Sequence, residues 1–352
     1  MTPLGDLLVT RIRAAGPITL ADYMTDCLMH PTLGYYTTRD PFGVAGDFTT
    51  APEISQMFGE LLGLCLAQSW LDQGSPARIT LAELGPGRGT LMADVLRATK
   101  GVPGFHAALQ VVLVEASPVL RAIQRQTLAS YPVQWRDSVH DIQQAPLYLI
   151  ANEFFDALPI RQFQRDGAGW RERLVGAKGE ALHLGLSDIA PVAALAHRLG
   201  ATASGDIVEL CPMAAAIIAV LGQRIATHGG AALIIDYGGW NSRGDTFQAM
   251  KSNAYTDPFA EPGQADLTAH VDFAALAAAA APAQSSYTTQ GAFLTQLGIT
   301  ARAARLDQSL QGEALQLQRV ALHRLTADAE MGNLFKVLAL YPPAGPPPPG
   351  TA

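Results

Sequence analysis

From about residue 78 the chain alternates between short apolar, β-branched runs and stretches of helical periodicity, and few folds accommodate that pattern. RITLAEL, LQVVLVEAS, VQWRD, PLYLIANEF and AALIIDYG read as strands, while GTLMADVLRAT and PVLRAIQRQTLASY read as helices between them. Strands that are apolar along nearly their whole length are buried on both faces, which predicts a parallel sheet covered by helices on each side. The expected fold class is therefore α/β, a Rossmann-like, doubly wound sheet whose ligands sit beyond the carboxyl ends of the strands.

The flanking segments divide the rest of the chain. In PITLADYMTDCLMHP, Thr19 and Asp22 have capping-box spacing and Pro31 stops the helix. GYYTTRDPFGVAGDFTTAPE is rich in Gly, Pro and Thr and reads as loop or short hairpin. Pro52 suits the first turn of a second helix, whose apolar face is Ile54, Met57, Phe58, Leu61 and Cys65 and which Gly74 ends. Residues 1–75 are thus expected to form a helical and loop extension over the active site, and 76–342 the core. An insertion of about 160–228 carries a hairpin in RQFQRDGAGWRERLV, turning at Asp166-Gly167. Asp272 should cap a helix through the alanine run, MGNLFKVLALYP should be a last strand, and 343–352 should be a disordered or polyproline tail.

Composition narrows the function classes. The 352 residues are 49% hydrophobic and 16% charged, as in a globular protein, and the net charge of −7 argues against an electrostatic grip on nucleic acid. Cys27, Cys65 and Cys211 lack metal-ligand spacing and read as reduced, buried thiols; the eight histidines form no metal signature, and no G-x-S-x-G is present. No apolar run has the length of a membrane span, so membrane insertion is not expected. The N-terminus lacks an apolar signal core, and a cytoplasmic enzyme is the resulting expectation.

LAELGPGRGTL carries the chemistry. A dinucleotide fingerprint is G-x-G-x-x-G; here Gly85, Gly87 and Gly89 are spaced G-x-G-x-G, with Pro86 between the first two and Glu83 ending the strand. A carboxylate there repels a pyrophosphate and suits an ammonium or sulfonium. Glu115, ending the next strand, stands where a carboxylate could accept both hydroxyls of a ribose. A ligand with a ribose, a positive charge and no need for a phosphate cradle is S-adenosylmethionine, approached closely by glycine backbone.

Six blocks in order then resemble the MidA family, the mitochondrial complex I assembly-factor methyltransferases and their bacterial relatives. These are YMTDCLMHPTLGYY, GDFTTAPEISQMFGELLG, ELGPGRGTLMADVLR, NEFFDALP, GGAALIIDYG and DLTAHVDF. The resemblance implies a class I S-adenosylmethionine-dependent methyltransferase that acts on an arginine of the complex I 49-kDa-type subunit, producing symmetric dimethylarginine.

The acceptor site is expected at the end of the fourth strand, where Asn152, Glu153 and Asp156 crowd together. Guanidinium is a charged, poor nucleophile, and carboxylates that pair with its N–H fork can aim one nitrogen at a methyl group. Glu153 and Asp156 are expected to grip it, with Asn152 orienting them. The structural alternatives are Asp156 as a cap ahead of Pro159 and Glu153 paired with Arg161.

Asp47, Thr49, Thr50 and Glu53 could fold over the cofactor, although Thr50 and Glu53 also have capping-box spacing. Asp137, after the third strand, is placed to meet the adenine. Asp236 and Glu209 end apolar strands that could face the same cleft, and His270 with Asp272 reads either as a base pair or as a packed histidine beside a helix cap. Trp170, Arg171 and Arg173 could meet a partner from the hairpin. Methylation of another protein or a small molecule, and a cofactor-binding assembly chaperone, are the competing functions.

Overall fold

The computed structural model describes residues 2–38 and 50–351. Its central sheet contains β1 (Ile79–Leu84), β2 (Leu109–Val114), β3 (Val133–Arg136), β4 (Leu147–Asn152), β5 (Gly230–Gly239), β6 (Gln284–Thr289) and β7 (Phe335–Tyr341). The order across the sheet is β3-β2-β1-β4-β5-β7-β6. The first five strands run parallel, and β7 is antiparallel to both of its neighbours. The order reverses between β1 and β4, which opens a crevice at their carboxyl ends.

The apolar runs became strands because both faces of the sheet are covered. Every residue of β1 and β4 is buried. Successive residues alternate between two cores, Leu81, Leu113, Ile150 and Leu233 on one side and Ala82, Val112, Leu149 and Ile234 on the other. Helices include α1 (Pro3–Ala15), α2 (Leu20–Met29), α3 (Gln56–Asp72), α4 (Thr90–Ala98), α5 (Pro118–Thr127) and α6 (Pro212–His228), with others between and after. Phe58 and Leu62 of α3 join Leu91 and Val95 of α4 in the first core, while Ile218 and Leu221 of α6 enter the second.

Several boundaries differ from the sequence reading. The expected insertion through residue 228 ends at Leu210, because α6 packs on the central sheet rather than on the insert. The strands Arg161–Asp166, Gly169–Lys178, Ala181–Leu186 and Ile207–Leu210 form an antiparallel sheet extended by Ile18–Thr19. Its hairpin pairs Asp166 with Gly169, so the turn is Gly167-Ala168, one residue later than expected. Trp170 is buried there, Arg171 pairs with Asp166, and Arg173 pairs with Asp245.

A second insert, which the sequence did not betray, is a three-stranded sheet of Gln248–Lys251, Ala254–Thr256 and Asp266–Thr268. The N-terminal extension also divides. Leu8 of α1 and Tyr23 and Met24 of α2 share a core with Val175 and Leu267 of the two inserts, whereas α3 lies on the central sheet.

The Thr19–Asp22 capping box forms as read. The Thr50–Glu53 box does not: Thr50 makes no side-chain cap bond, and Glu53 accepts from Thr90 Oγ1 at 2.6 Å instead. Asp272 caps the helix Phe273–Ala279. The proline-rich end is not a free tail, since Thr351 is only 3% exposed and Pro349 O accepts from Cys65 Sγ at 3.3 Å. Proline leaves little backbone entropy to lose when such a segment docks.

Candidate active site

The glycine turn bridges β1 to α4 with an unusual backbone. Gly85, Gly87 and Gly89 all have positive φ, at 58°, 52° and 83°. A Cβ on Gly85 would sit 2.8 Å from the Phe154 ring. Gly85 N–H donates to Val114 O at 3.0 Å and Gly89 N–H to Pro86 O at 2.8 Å, closing the loop tightly. Beside it lies a cleft walled by Thr50, Glu83, Gly85, Pro86, Gly87 and Asn152.

Glu83 is 3% exposed and its Oε2 has no hydrogen-bond partner. Burial, reinforced by the charge of Glu115, pushes its carboxyl up to about 8. Glu115 accepts from Ser117 N–H at 2.7 Å through Oε1 and from Gln124 Nε2 at 3.1 Å through Oε2, which leaves each oxygen further lone-pair capacity.

Gln124 is a residue the sequence reading missed. Fully buried on α5, it also donates to Gly87 O at 2.8 Å and accepts from Trp135 Nε1 at 2.9 Å, tying the glycine loop to β2 and β3. The available signal was a glutamine on the apolar face of its helix, four residues after the buried Leu120.

Asp137 follows β3 but points to solvent, paired with Arg121, so the structure does not bring its carboxylate into the cleft. Asp47 and Thr49 lie outside the described residues. Thr50 is buried and borders both this cleft and the next cavity.

At the end of β4, Asn152, Glu153 and Asp156 do come together. Glu153 adopts φ 51°, a left-handed conformation that costs a non-glycine residue energy and persists only when neighbours hold it. They do so here: its N–H donates to Ile235 O at 2.9 Å, and its Oε1 accepts from Ala51 N–H and Asn152 Nδ2, each at 3.1 Å. Arg161 is not its partner, being committed to Glu172 at 2.6 Å.

Asp236 proves to be the brace of this turn. Buried completely, it accepts from the N–H groups of Phe155, Asp156 and Tyr237 at 3.0, 3.2 and 2.9 Å. Burial, then the charges of Asp156 and Glu153, raise its carboxyl well above the ordinary range.

Asp156 is 7% exposed, and its Oδ1 has no partner. Burial raises its carboxyl to about 6; burial and then the charge of Asp156 raise that of Glu153 to about 7. Both line a cavity of about 250 Å³ together with Asp266, Tyr237 and His270. No lysine or arginine is among the described residues lining it. A wider trough of about 550 Å³, walled by Arg324, Asp328, Glu330 and Asn333, reaches Glu153 from outside.

Glu209 and Asp272 fall elsewhere. Glu209 accepts from Gln162 at 2.6 Å and from Thr246 N–H at 3.0 Å within the inserted sheet, away from the cleft. Asp272 caps its helix and meets Arg198 at 3.3 Å, whereas His270 packs edge-on to Tyr237. The helix-cap account thus describes Asp272, while His270 both packs on Tyr237 and borders the cavity.

Comparison with known proteins adds to this geometry. Residues 61–292 match a family described as "Putative S-adenosyl-L-methionine-dependent methyltransferase". The chain is 37% identical over 370 residues to the human (Homo sapiens) protein arginine methyltransferase NDUFAF7, mitochondrial, covering 97% of this chain and 84% of that one. It is 40% identical over 363 residues to the Danio rerio protein of the same name, covering 95% and 85%.

A crystal structure of a Burkholderia thailandensis protein bound to S-adenosyl-homocysteine superposes with a TM-score of 0.84 at 30% identity, covering 99% of this chain and 92% of that one. The mitochondrial names of the sequence relatives overturn the cytoplasmic expectation. Composition and hydropathy report compatibility with an aqueous phase, a property common to both compartments. No helix among the described residues is long and apolar enough to cross a membrane.

Proposed function

The chain belongs to this family of S-adenosylmethionine-dependent methyltransferases and uses that cofactor, and on that premise we propose that it methylates an arginine of a protein. The cleft beside the glycine turn suits the cofactor's charge, since Glu83 presents a buried, unpartnered oxygen beside it. Glu83, Gly85, Pro86, Gly87, Gly89, Glu115 and Thr50 are the described residues assigned to hold it. When bound, it supplies an electrophilic methyl group on a sulfonium.

What supports an arginine acceptor is the neighbouring cavity, where Glu153 and a 93%-buried Asp156 with a partnerless oxygen share walls that carry no lysine or arginine among the described residues. Burying carboxylates is costly even with Arg324 near Glu153, and a guanidinium supplies both charge and a fork of N–H donors. Glu153 borders both spaces, so a guanidinium held there lies next to the cofactor cleft. Asn152 donates to Glu153 and keeps it aimed; Asp236 fixes the backbone of the same turn. Alignment of the nitrogen is then the chain's main contribution to rate. The acceptor nitrogen must also shed one proton, and burial leaves Glu153 and Asp156 more basic than ordinary carboxylates.

The open trough at Glu153 favours an acceptor side chain carried on a protein over an enclosed small molecule. The family resemblance suggests the complex I 49-kDa-type subunit as that protein. Mass spectrometry of this subunit, from strains with and without the gene, tests the proposal. Dimethylarginine should vanish on deletion and return with the wild-type gene but not with Glu153→Gln. An arginine modified equally in both strains would remove this acceptor.

The glycine turn gives a separate test of the cofactor site. Gly85→Val places a β-branched residue at φ 58° and its Cβ against Phe154. The variant is expected to lose saturable S-adenosyl-homocysteine binding and melt several degrees below wild type. Calorimetric titration and thermal melts check both, and wild-type affinity in the variant would show that the turn does not shape the site.

A further inference from the structure

The two halves of the cofactor site lie on different connections of the sheet. The glycine turn follows β1, and Glu115 follows β2. One side chain bonds to both. Gln124, fully buried on α5, donates through Nε2 to Gly87 O at 2.8 Å and to Glu115 Oε2 at 3.1 Å, while its Oε1 accepts from Trp135 Nε1 at 2.9 Å.

These partners fix which way the amide faces. An indole N–H only donates and a backbone carbonyl only accepts, so Oε1 must face Trp135 and Nε2 must face Gly87 and Glu115. Both amide hydrogens are then committed. The surroundings hold the group in place. Ser117 caps α5 by accepting from Leu120 N–H at 3.3 Å, Leu120 is itself buried one turn before Gln124, and Arg125 stacks over the Trp135 ring at 5.1 Å from its centroid.

Glu115 is held at both oxygens. Ser117 N–H donates to Oε1 at 2.7 Å, and Gln124 donates to Oε2. Burial raises the Glu115 carboxyl, and the donors of Ser117, Gln124 and Ala116, with the charge of Arg121, act in the opposite sense and favour the charged form. Ser117 and Ala116 are chain neighbours and fix only the base of the loop. Gln124 comes from nine positions away and also grips the loop after β1. A carboxylate that receives two ribose hydroxyls must present both oxygens in a set direction, and the glycine turn must stand at a set distance from it.

Resting on the reading of Glu115 as the ribose acceptor, we infer that Gln124 is a positioning residue for the cofactor: it aims Glu115 Oε2 at a ribose hydroxyl and locks that carboxylate to the glycine turn. Its effect reaches the ligand through Glu115 and Gly87. The ribose and methionine ends of the site are thereby set as one unit.

The test is calorimetric titration of the full chain with S-adenosyl-homocysteine and with its 2′-deoxy and 3′-deoxy ribose analogues. Wild type should lose about tenfold or more in affinity for each missing hydroxyl, the scale of a hydrogen bond to a charged group. Gln124→Met keeps an unbranched side chain of similar length in the helix. It should weaken S-adenosyl-homocysteine by about tenfold and shrink the penalty for at least one deoxy analogue by about fivefold or more. Its melting temperature should fall too, because Gly87 O, Glu115 Oε2 and Trp135 Nε1 each lose a partner. A purely structural role would weaken all three ligands equally, so the change in discrimination carries the decision.

Trp135→Phe keeps a ring for Arg125 but frees the Gln124 amide to turn over, and should shrink the same penalty to a smaller extent. Should Gln124→Met fail to fold, Trp135→Phe decides by the same comparison. Wild-type penalties in the folded variants, with or without a uniform loss of affinity, overturn the inference. If Glu115→Gln removes the penalties while Gln124→Met keeps them, the ribose role of Glu115 stands and only that of Gln124 falls. Penalties absent from the wild type, or retained in Glu115→Gln, remove both.

Discussion

Glu153→Gln is expected to lower methyl transfer to arginine by roughly 10²–10⁴-fold, the equivalent of the about 3–5 kcal/mol lost when one partner of a buried ion pair is removed. The substitution is close to isosteric, and a glutamine Oε1 can still accept from Ala51 N–H and Asn152 Nδ2. The left-handed turn should therefore survive, and with it the affinity for the cofactor. What disappears is the charge facing the acceptor.

The same carboxylates predict a pH profile. Protonated Asp156 and Glu153 cannot pair with a cation, and their carboxyls sit at about 6 and about 7. In the wild type, kcat/KM for an arginine peptide should rise with pH through that range and fall away in acid. Asp236, Asp266, Tyr237 and His270 surround these groups and shape the curve, and Glu153→Gln should remove its upper step. Rates with radiolabelled S-adenosylmethionine against pH supply the check. Wild-type kcat in the glutamine variant would rule out Glu153 as the residue that grips the acceptor.

Glu83→Gln should separate stability from function. Burial holds the Glu83 carboxyl at about 8, far above the unfolded value of 4.5. A group raised in this way favours the folded state most fully below its unfolded pKa, and that contribution is lost as pH rises through about 8. The ligand-free wild type should therefore lose melting temperature between mildly acidic and mildly alkaline buffer.

A glutamine, neutral throughout, removes this component, so the variant should melt a few degrees higher than wild type at the alkaline end. Its affinity for S-adenosylmethionine should fall by about 10–100-fold, since the positive end of the ligand loses a charged acceptor. Melts at two pH values, with and without ligand, test both halves. Equal ligand-free melting with unchanged affinity would mean that Glu83 has some other buried partner and no part in binding.

Much of the site was legible because its determinants are local. Glycines at three positions announced a close backbone approach, which the structure delivers with positive φ at each, and the apolar run before them placed Glu83 at the end of a buried strand. PLYLIANEF followed by Asp156 placed three polar groups at a strand end by the same logic. The capping reading of Thr50 and Glu53 failed because Thr90, on a helix 37 residues away in sequence, offers Glu53 a partner that local spacing cannot reveal. Asp137 was placed correctly after β3, yet the direction of its side chain was set by Arg121 on α5.

The alternation of strand and helix, the glycine turn and the cluster after β4 were determined by the sequence itself, since backbone preference and hydrophobic period act over a few residues. The pairing of Asp266 with Tyr36 across 230 positions, the bracing of Asp156 by Asp236 across 80, and the docking of the proline-rich end on Cys65 were decided only by the tertiary structure. Such contacts depend on how separately formed elements pack, and a buried polar side chain takes whichever partner that packing brings within hydrogen-bond reach.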